Sequence, residues 1–126
     1  MLGNKEAVAT IAVKDLAAAR KFYEGTLGLK VVNVQGSEAV TYQSGSSKVI
    51  VYRSQFAGTN QATVANWLVG KDIETIVQAL DERGVRFEHY DDLPGLTRQG
   101  HLHVMGTFKT CWFRDPDGNI ISLMKV

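Results

Sequence analysis

His101 and His103 stand two residues apart, so on a strand both imidazoles project from one face, and Glu88 and His89 lie nearby in the sequence. Such a pair could ligate a metal or move a proton, which makes both residues weak catalytic candidates. No paired carboxylate follows at a ligand spacing, and the pair closes the one long irregular stretch, YDDLPGLTRQG (90–100), so a solvated or hydrogen-bonded structural role competes. Ser122 raises a second chemical question, because its lone hydroxyl interrupts the apolar run NIISLMKV. A nucleophile is not indicated there: no Gly-x-Ser-x-Gly surrounds it, and a strand interior is not an exposed elbow. Cys111, the single cysteine, has no CxxC partner or zinc-site spacing and reads as a buried, inert thiol. The glycines are scattered singly through turns, so no phosphate-binding loop is written.

Composition narrows the partners. The 126 residues carry 14 Lys and Arg against 13 Asp and Glu, which gives no field to recruit nucleic acid or an anionic membrane. No apolar stretch is long enough to span a bilayer, and the N-terminus lacks the pattern of a secretory signal, so a cytoplasmic location is expected. The length suffices for one domain with a sizeable core and no disulfide or structural metal.

Positioning these residues requires sheets, and the chain spells the same order twice. AVATIAV (7–13) precedes Lys14-Asp15-Leu16, after which Leu16, Ala19, Phe22, Tyr23 and Leu27 approximate helical spacing. ATVANWLVG (62–70) precedes Lys71-Asp72-Ile73, after which Ile73, Ile76, Val77 and Leu80 do the same. Asp15 and Asp72 read as N-caps whose carboxylates accept from free helix N–H groups, and Gly28 and Gly84 as left-handed helix ends. Strands LKVVNVQ, EAVTYQS and KVIVYRS follow the first helix; VRFEHY, a strand near MGTFKTCWF, and NIISLMKV follow the second. The small, polar FAGTNQAT (56–63) falls near the midpoint as a connector, giving module 1 at about 1–58 and module 2 at about 62–126 within a single domain spanning 1–126. One helix covers one sheet face, so the two halves are expected to share a curved surface.

Asp115-Pro116-Asp117-Gly118 suits a type I turn with a glycine bulge. With the D-L-x-x-A-x-x-F-Y-x-x-x-L-G-L pattern from Asp15 to Leu29, F-R-D-P-D-G-N-x-I from Phe113 to Ile121, and the duplicated layout, the whole chain resembles the vicinal oxygen chelate superfamily. This is the glyoxalase, bleomycin resistance protein and extradiol dioxygenase group. The resemblance implies an α+β fold of two βαβββ modules, forming an eight-stranded, incompletely closed barrel with its helices outside, its site on the concave face, and usually a homodimeric assembly.

Metal-dependent members of that group hold a divalent ion on four concave strand positions, which the resemblance maps onto Val8, Val51, Ala65 and Ser122. Ser122 stands where glutamate is usual. None of the four is a strong donor, so the resemblance implies a branch without the usual metal ligands, and no metal or other cofactor is expected. Residues two away share a strand face, which adds Thr10, Ala12, Val49, Arg53, Trp67, Val69, Ile120 and Met124. With Phe113 assigned to the helix-covered core, Phe108, Thr110 and Trp112 turn to the cavity, and Tyr42 is a further candidate. Thr10, Tyr42, Arg53, Trp67, Phe108, Thr110, Trp112, Ser122 and Met124 are therefore the expected ligand-binding residues. An inward Arg53 would need a carboxylate or phenolate partner.

The expected function is metal-independent binding of a small, partly aromatic organic molecule, for sequestration, resistance or sensing, by a homodimer. A lyase, isomerase or dioxygenase of the same superfamily is the first alternative, either metal-free or with ligands relocated to His101, His103 and Glu88. A dimeric accessory protein, its aromatic face filled by a partner, is the second.

Overall fold

In the computed structural model, which covers residues 1–126, Asp15 caps the first helix as its sequence position demands: its carboxylate accepts from the Ala18 N–H at 3.2 Å. Strand β1 (Ala9–Val13) precedes the cap, and helix α1 (Leu16–Arg20) follows it, widening into a π-type turn over Lys21–Thr26. Gly28 then takes φ 74°, a left-handed conformation that stops the helix at little steric cost. Strands β2 (Lys30–Gln35), β3 (Ala39–Ser44) and β4 (Ser47–Arg53) complete the first of two compact units, Met1–Thr59.

Its sheet has the order β1-β4-β3-β2, with β1 parallel to β4 and the other pairs antiparallel. Helix-side packing follows from strand parity. Tyr23 stacks on Tyr42 with ring centroids 6.3 Å apart, Tyr42 pairs with Val49, and Val40 and Ile11 both pair with Val51. All six are buried, together with Val13, Leu16 and Ala19. Burying such side chains is worth roughly 1.5–3 kcal/mol each, before the entropy of ordering them.

The second unit, Asn60–Val126, repeats the plan with a change. Strand β5 (Thr63–Leu68) leads through a 3-10 turn, Gly70–Asp72, into helix α2 (Ile73–Glu82). Asp72 occupies the cap position but makes no side-chain cap hydrogen bond, because the 3-10 turn places it after residues that are already wound. Gly84 ends the helix at φ 80°.

Strands β6 (Arg86–Glu88), β7 (Thr97–Gln99), β8 (Leu102–Met105), β9 (Phe108–Arg114) and β10 (Ile120–Lys125) follow, so the chain holds ten strands in two sheets, neither closed, where eight were expected. The extra pair comes from one interrupted strand. β10 takes one edge of β9, and the other edge is shared by β6, where Glu88 pairs with Trp112, and β8, where His103 pairs with Thr110. Residues 89–101 leave the sheet line, form β7 against β8, and return. The stretch 90–100, read as irregular, thus contains a short strand.

Between β9 and β10 the Asp115 carboxylate organises the turn. Oδ1 accepts from the Asp117 and Asn119 N–H groups at 2.9 and 2.8 Å, and Oδ2 from the Asn119 carboxamide at 2.8 Å. Gly118 supplies φ 88° and donates to the Asp115 carbonyl at 3.0 Å. The fold is α+β, two βαβββ modules with an excursion in the second. No helix is long and apolar enough to cross a membrane.

Candidate functional site

Two ring contacts identify the faces of the second sheet. Phe87 stacks on His101 at 4.3 Å and meets Phe113 edge-on at 5.9 Å, while His101 Nε2 lies 3.0 Å from Asp81 Oδ1 on α2. Phe113 and Cys111 therefore face the helix, along with their pairing partners Ile121 and Leu123. Burial raises the Cys111 thiol to about 12, which leaves it protonated and unreactive at neutral pH.

Alternation sends the remaining residues to the other face: Thr110 and Trp112 on β9, Ser122 and Met124 on β10, and His103 on β8. Phe108 shares their parity at the start of β9. This face joins five of the nine expected ligand-binding residues within one unit. Trp112 is half-buried and meets His103 edge-on at 4.9 Å and Tyr90 at 5.2 Å.

The parallel register against β5 adds a residue that sequence reasoning missed. Ser122 pairs with Asn66, and its hydroxyl donates to the Asn66 carboxamide oxygen at 2.7 Å. The Asn66 NH2 in turn approaches the Met124 sulfur at 3.8 Å. Ala65 and Trp67 pair with Ile121 and Leu123, so they belong to the helix-side face. The 3-10 turn explains the slip, since counting back from Asp72 passes through wound residues that have no counterpart before Asp15. The sequence signal was present: Asn66 is the one carboxamide inside ATVANWL.

The first unit divides its residues differently. Val51 and Tyr42 lie on the helix side, fully buried. The Tyr42 hydroxyl donates to Glu24 Oε2 at 2.8 Å, and Arg20 Nε donates to the same oxygen at 2.6 Å. The Arg20 hydrogen bond holds the Glu24 carboxyl below its ordinary value, and burial followed by the Glu24 contact pushes the Tyr42 phenol up. Thr10 is exposed on the opposite face, where it pairs with Ile50, and its hydroxyl donates to the Val8 carbonyl at 3.2 Å. Ile50, not Val51, is thus the β4 residue on the side of Thr10. Val8 precedes β1 and is exposed. Arg53 is exposed at the end of β4 and pairs with Glu38 at 2.9 Å.

Of the two histidines first singled out, only His103 lies on the open face, the sheet face turned away from α2, where Thr110 and Ser122 are also buried and Trp112 and Met124 are partly exposed. His103 is fully buried, and its Nε2 accepts from the Tyr90 N–H at 2.9 Å, which fixes the neutral tautomer with the proton on Nδ1. Nδ1 has no partner of hydrogen-bond geometry. The Thr110 carbonyl still pulls on the ring, but burial outweighs it and lowers the imidazole pKa. His101 and His103 do not converge, and no group of three His, Cys, Asp or Glu side chains is placed to hold a metal ion.

A divalent cation does not fit the open face. Asn66 and Ser122 offer two neutral oxygens already bonded to each other, and the Glu88 carboxylate, opposite Trp112 on the same face, is taken by Arg114. With Glu88 engaged, these groups make no set of three donors for a divalent ion.

With this geometry in view, the sequence match is informative: residues 7–123 match the model of the Glyoxalase/Bleomycin resistance protein/Dioxygenase superfamily, and the chain belongs to that family. No curated protein matches. Among solved structures, a glyoxalase family protein from Enterococcus faecalis is 22% identical, with a TM-score of 0.72 over 99% of this chain and 100% of that one. A lactoylglutathione lyase from Agrobacterium tumefaciens is 16% identical, with a TM-score of 0.74 over 99% and 96%. A genomically encoded fosfomycin resistance protein from Listeria monocytogenes is 12% identical, with a TM-score of 0.74 over 100% and 95%. At these identities the likeness is one of fold.

Proposed function

We propose that this protein binds a small, partly aromatic organic molecule without a metal ion, on the open face of its second sheet. The observation that carries the reading is the Asn66–Ser122 pair at 2.7 Å, which leaves a neutral hydroxyl, already bonded to a carboxamide, at the position where the resemblance expects glutamate. Around it Trp112, Met124 and Phe108 supply flat and polarisable surface, and Thr110 adds a hydroxyl that is itself engaged with the Leu123 carbonyl at 2.9 Å. Such a face favours a planar molecule with one or two acceptor or donor atoms at its edge. The family includes resistance proteins and lyases alike; the one carboxylate paired opposite Trp112, Glu88, is taken by Arg114, which favours binding over metal-assisted turnover. Exposed Val32 and Val34 on β2 and Leu68 on β5 leave apolar surface for a second copy of the chain, so the proposal includes a homodimer.

The test uses 8-anilinonaphthalene-1-sulfonate as a flat anionic probe, together with metal analysis of protein purified without chelator. Saturable binding, unchanged by EDTA and weakened about ten-fold or more by Trp112→Ala, is expected. A stoichiometric divalent metal whose removal abolishes binding overturns the proposal, as does undiminished binding by the Trp112 variant.

A further inference from the structure

Residues 89–101, which interrupt the β6–β8 edge, begin and end on histidines that touch. His89 Nε2 and His101 Nδ1 lie 2.8 Å apart. The second nitrogen of His101, Nε2, faces Asp81 Oδ1 at 3.0 Å, and Phe87 covers the ring. Asp81 sits in the last turn of α2, where the helix dipole disfavours a carboxylate, so an imidazole donor there has a ready function. Within the excursion Arg98 spans Asp91 at 2.5 Å and the Gly100 carbonyl at 2.9 Å. Next to His89, Tyr90 donates its N–H to His103 and sets its ring edge-on to Trp112.

We propose that residues 89–101 form a lid over the Trp112–His103 end of the open face, and that the His89–His101 contact is a proton-sensitive clasp at its base. What the lid covers rests on the binding reading above; the clasp itself rests on proton counting. Because Asp81 accepts, His101 Nε2 carries a hydrogen. One further proton lies between His101 Nδ1 and His89 Nε2, donated from either side. The pair keeps this contact with no net charge or with one. A second charge places hydrogens on both facing nitrogens and sets two cations against each other, and the contact breaks. The clasp is therefore present when at most one ring is charged and is lost as pH falls and both charge.

Other charged groups on the packed elements shape this response. Asp81 on α2 faces His101, Asp91 in the excursion is paired with Arg98, and Glu88 on β6 is taken by Arg114. His103 on β8 resists charging because it is buried, so the Tyr90 hydrogen bond to its Nε2 does not itself answer first to mild acid.

Backbone amide exchange of the full chain without ligand tests the clasp, so its failure is distinct from failure of the binding reading. Rates are expressed relative to the unfolded chain at the same pH. Between about pH 7.5 and about pH 5, protection of Tyr90 and the rest of 89–101 should fall about ten-fold or more, while α2 and β10 hold theirs. His89→Ala should show the low protection at both pH values. His89→Gln should stay protected at both, since a carboxamide at the Nε2 position can donate to or accept from His101 by flipping. Unchanged wild-type protection, an acid loss spread through α2 and β10, or an acid step that survives in His89→Gln overturns the clasp.

Discussion

The two units share an order of elements but tie different polar side chains to their helices. In the first, Tyr42, Glu24 and Arg20 form a hydrogen-bonded cluster between strand and helix, while the face shared by Thr10 and Ile50 carries Thr41, Asn33 and Gln43 with no tryptophan or histidine among them. In the second, the helix side is hydrocarbon and ring against Cys111, Phe113, Ile121 and Leu123, and Asn66, Ser122, Thr110 and His103 sit on the other face. One scaffold thus builds a polar cluster between strand and helix in one copy and sets polar groups beside a half-buried tryptophan in the other. The second copy is also the one with an interrupted strand, its chain leaving the β9 edge after Glu88 and returning to it at His103.

The sharpest way to break the second unit alone is at Asp115. Its buried carboxylate satisfies two backbone N–H groups and the Asn119 side chain, and Asp115→Ala strands all of them. Loss of about 2–4 kcal/mol in urea unfolding is expected, from removing a charged acceptor with several donors. If the first unit's β2–β4 amides keep their exchange protection while β9 and β10 lose theirs, the units respond separately.

Much of this division was legible in the sequence, and its failures have physical causes. The helix cap at Asp15, the left-handed glycines and the Asp115 turn are local signals, fixed by contacts within a few residues, and each formed as written. Strand faces are not local. The wound residues Gly70 and Lys71 before Asp72 upset the count back to β5, so that Asn66 stands on the face expected for Ala65 and Trp67. On β4 the apolar run KVIVY has no polar marker, and the resemblance sets Val51 on the open face, whereas its pairing with Ile11 places it under the helix. The two-part strand of β6 and β8 could not be read at all, because its halves meet only through β9.

A smaller effect separates the helix-side cluster from the open face. Tyr42→Phe removes one donor to Glu24 and leaves Arg20 in place, so a loss of about 1 kcal/mol is expected in urea unfolding. The pH dependence has a definite sign. Glu24 has a depressed pKa in the folded chain, so its contribution is present above the ordinary carboxylate range and is lost as pH falls through the folded value. Glu24→Gln should flatten the acid side of the thermal midpoint curve, whereas Asn66 and Ser122 carry no charge and their variants should leave its shape unchanged.

Ser122→Val makes the second unit's β10 resemble the first unit's β4 at Ile50. The lost hydrogen bond to Asn66 costs about 0.5–1.5 kcal/mol, and burying an added methyl in place of the hydroxyl offsets part of it, so stability should change by less than about 1 kcal/mol. Binding of the anilinonaphthalene probe should still respond, because the variant erases the neutral couple beside Trp112. A large stability loss with unchanged binding would move the Asn66–Ser122 pair from the ligand face into the structural category occupied by Tyr42 and Glu24.

Arg53→Ala has the smallest expected effect and tests the first unit's share in recognition. The guanidinium is exposed and meets only an exposed carboxylate, Glu38, across a 2.9 Å contact. Exposed pairs of this kind gain little, because solvent screens the charges and two long side chains must be held in one geometry. No measurable change in the urea midpoint is therefore expected, and none in probe affinity, since Arg53 extends from the strand end and pairs in register with Val13 on the helix side. A marked fall in affinity for the sulfonate probe, with the urea midpoint unmoved, would show that Arg53 leaves Glu38 to meet a ligand's anionic edge. The polar asymmetry between the two units would then describe the free protein only, and recognition would draw on both.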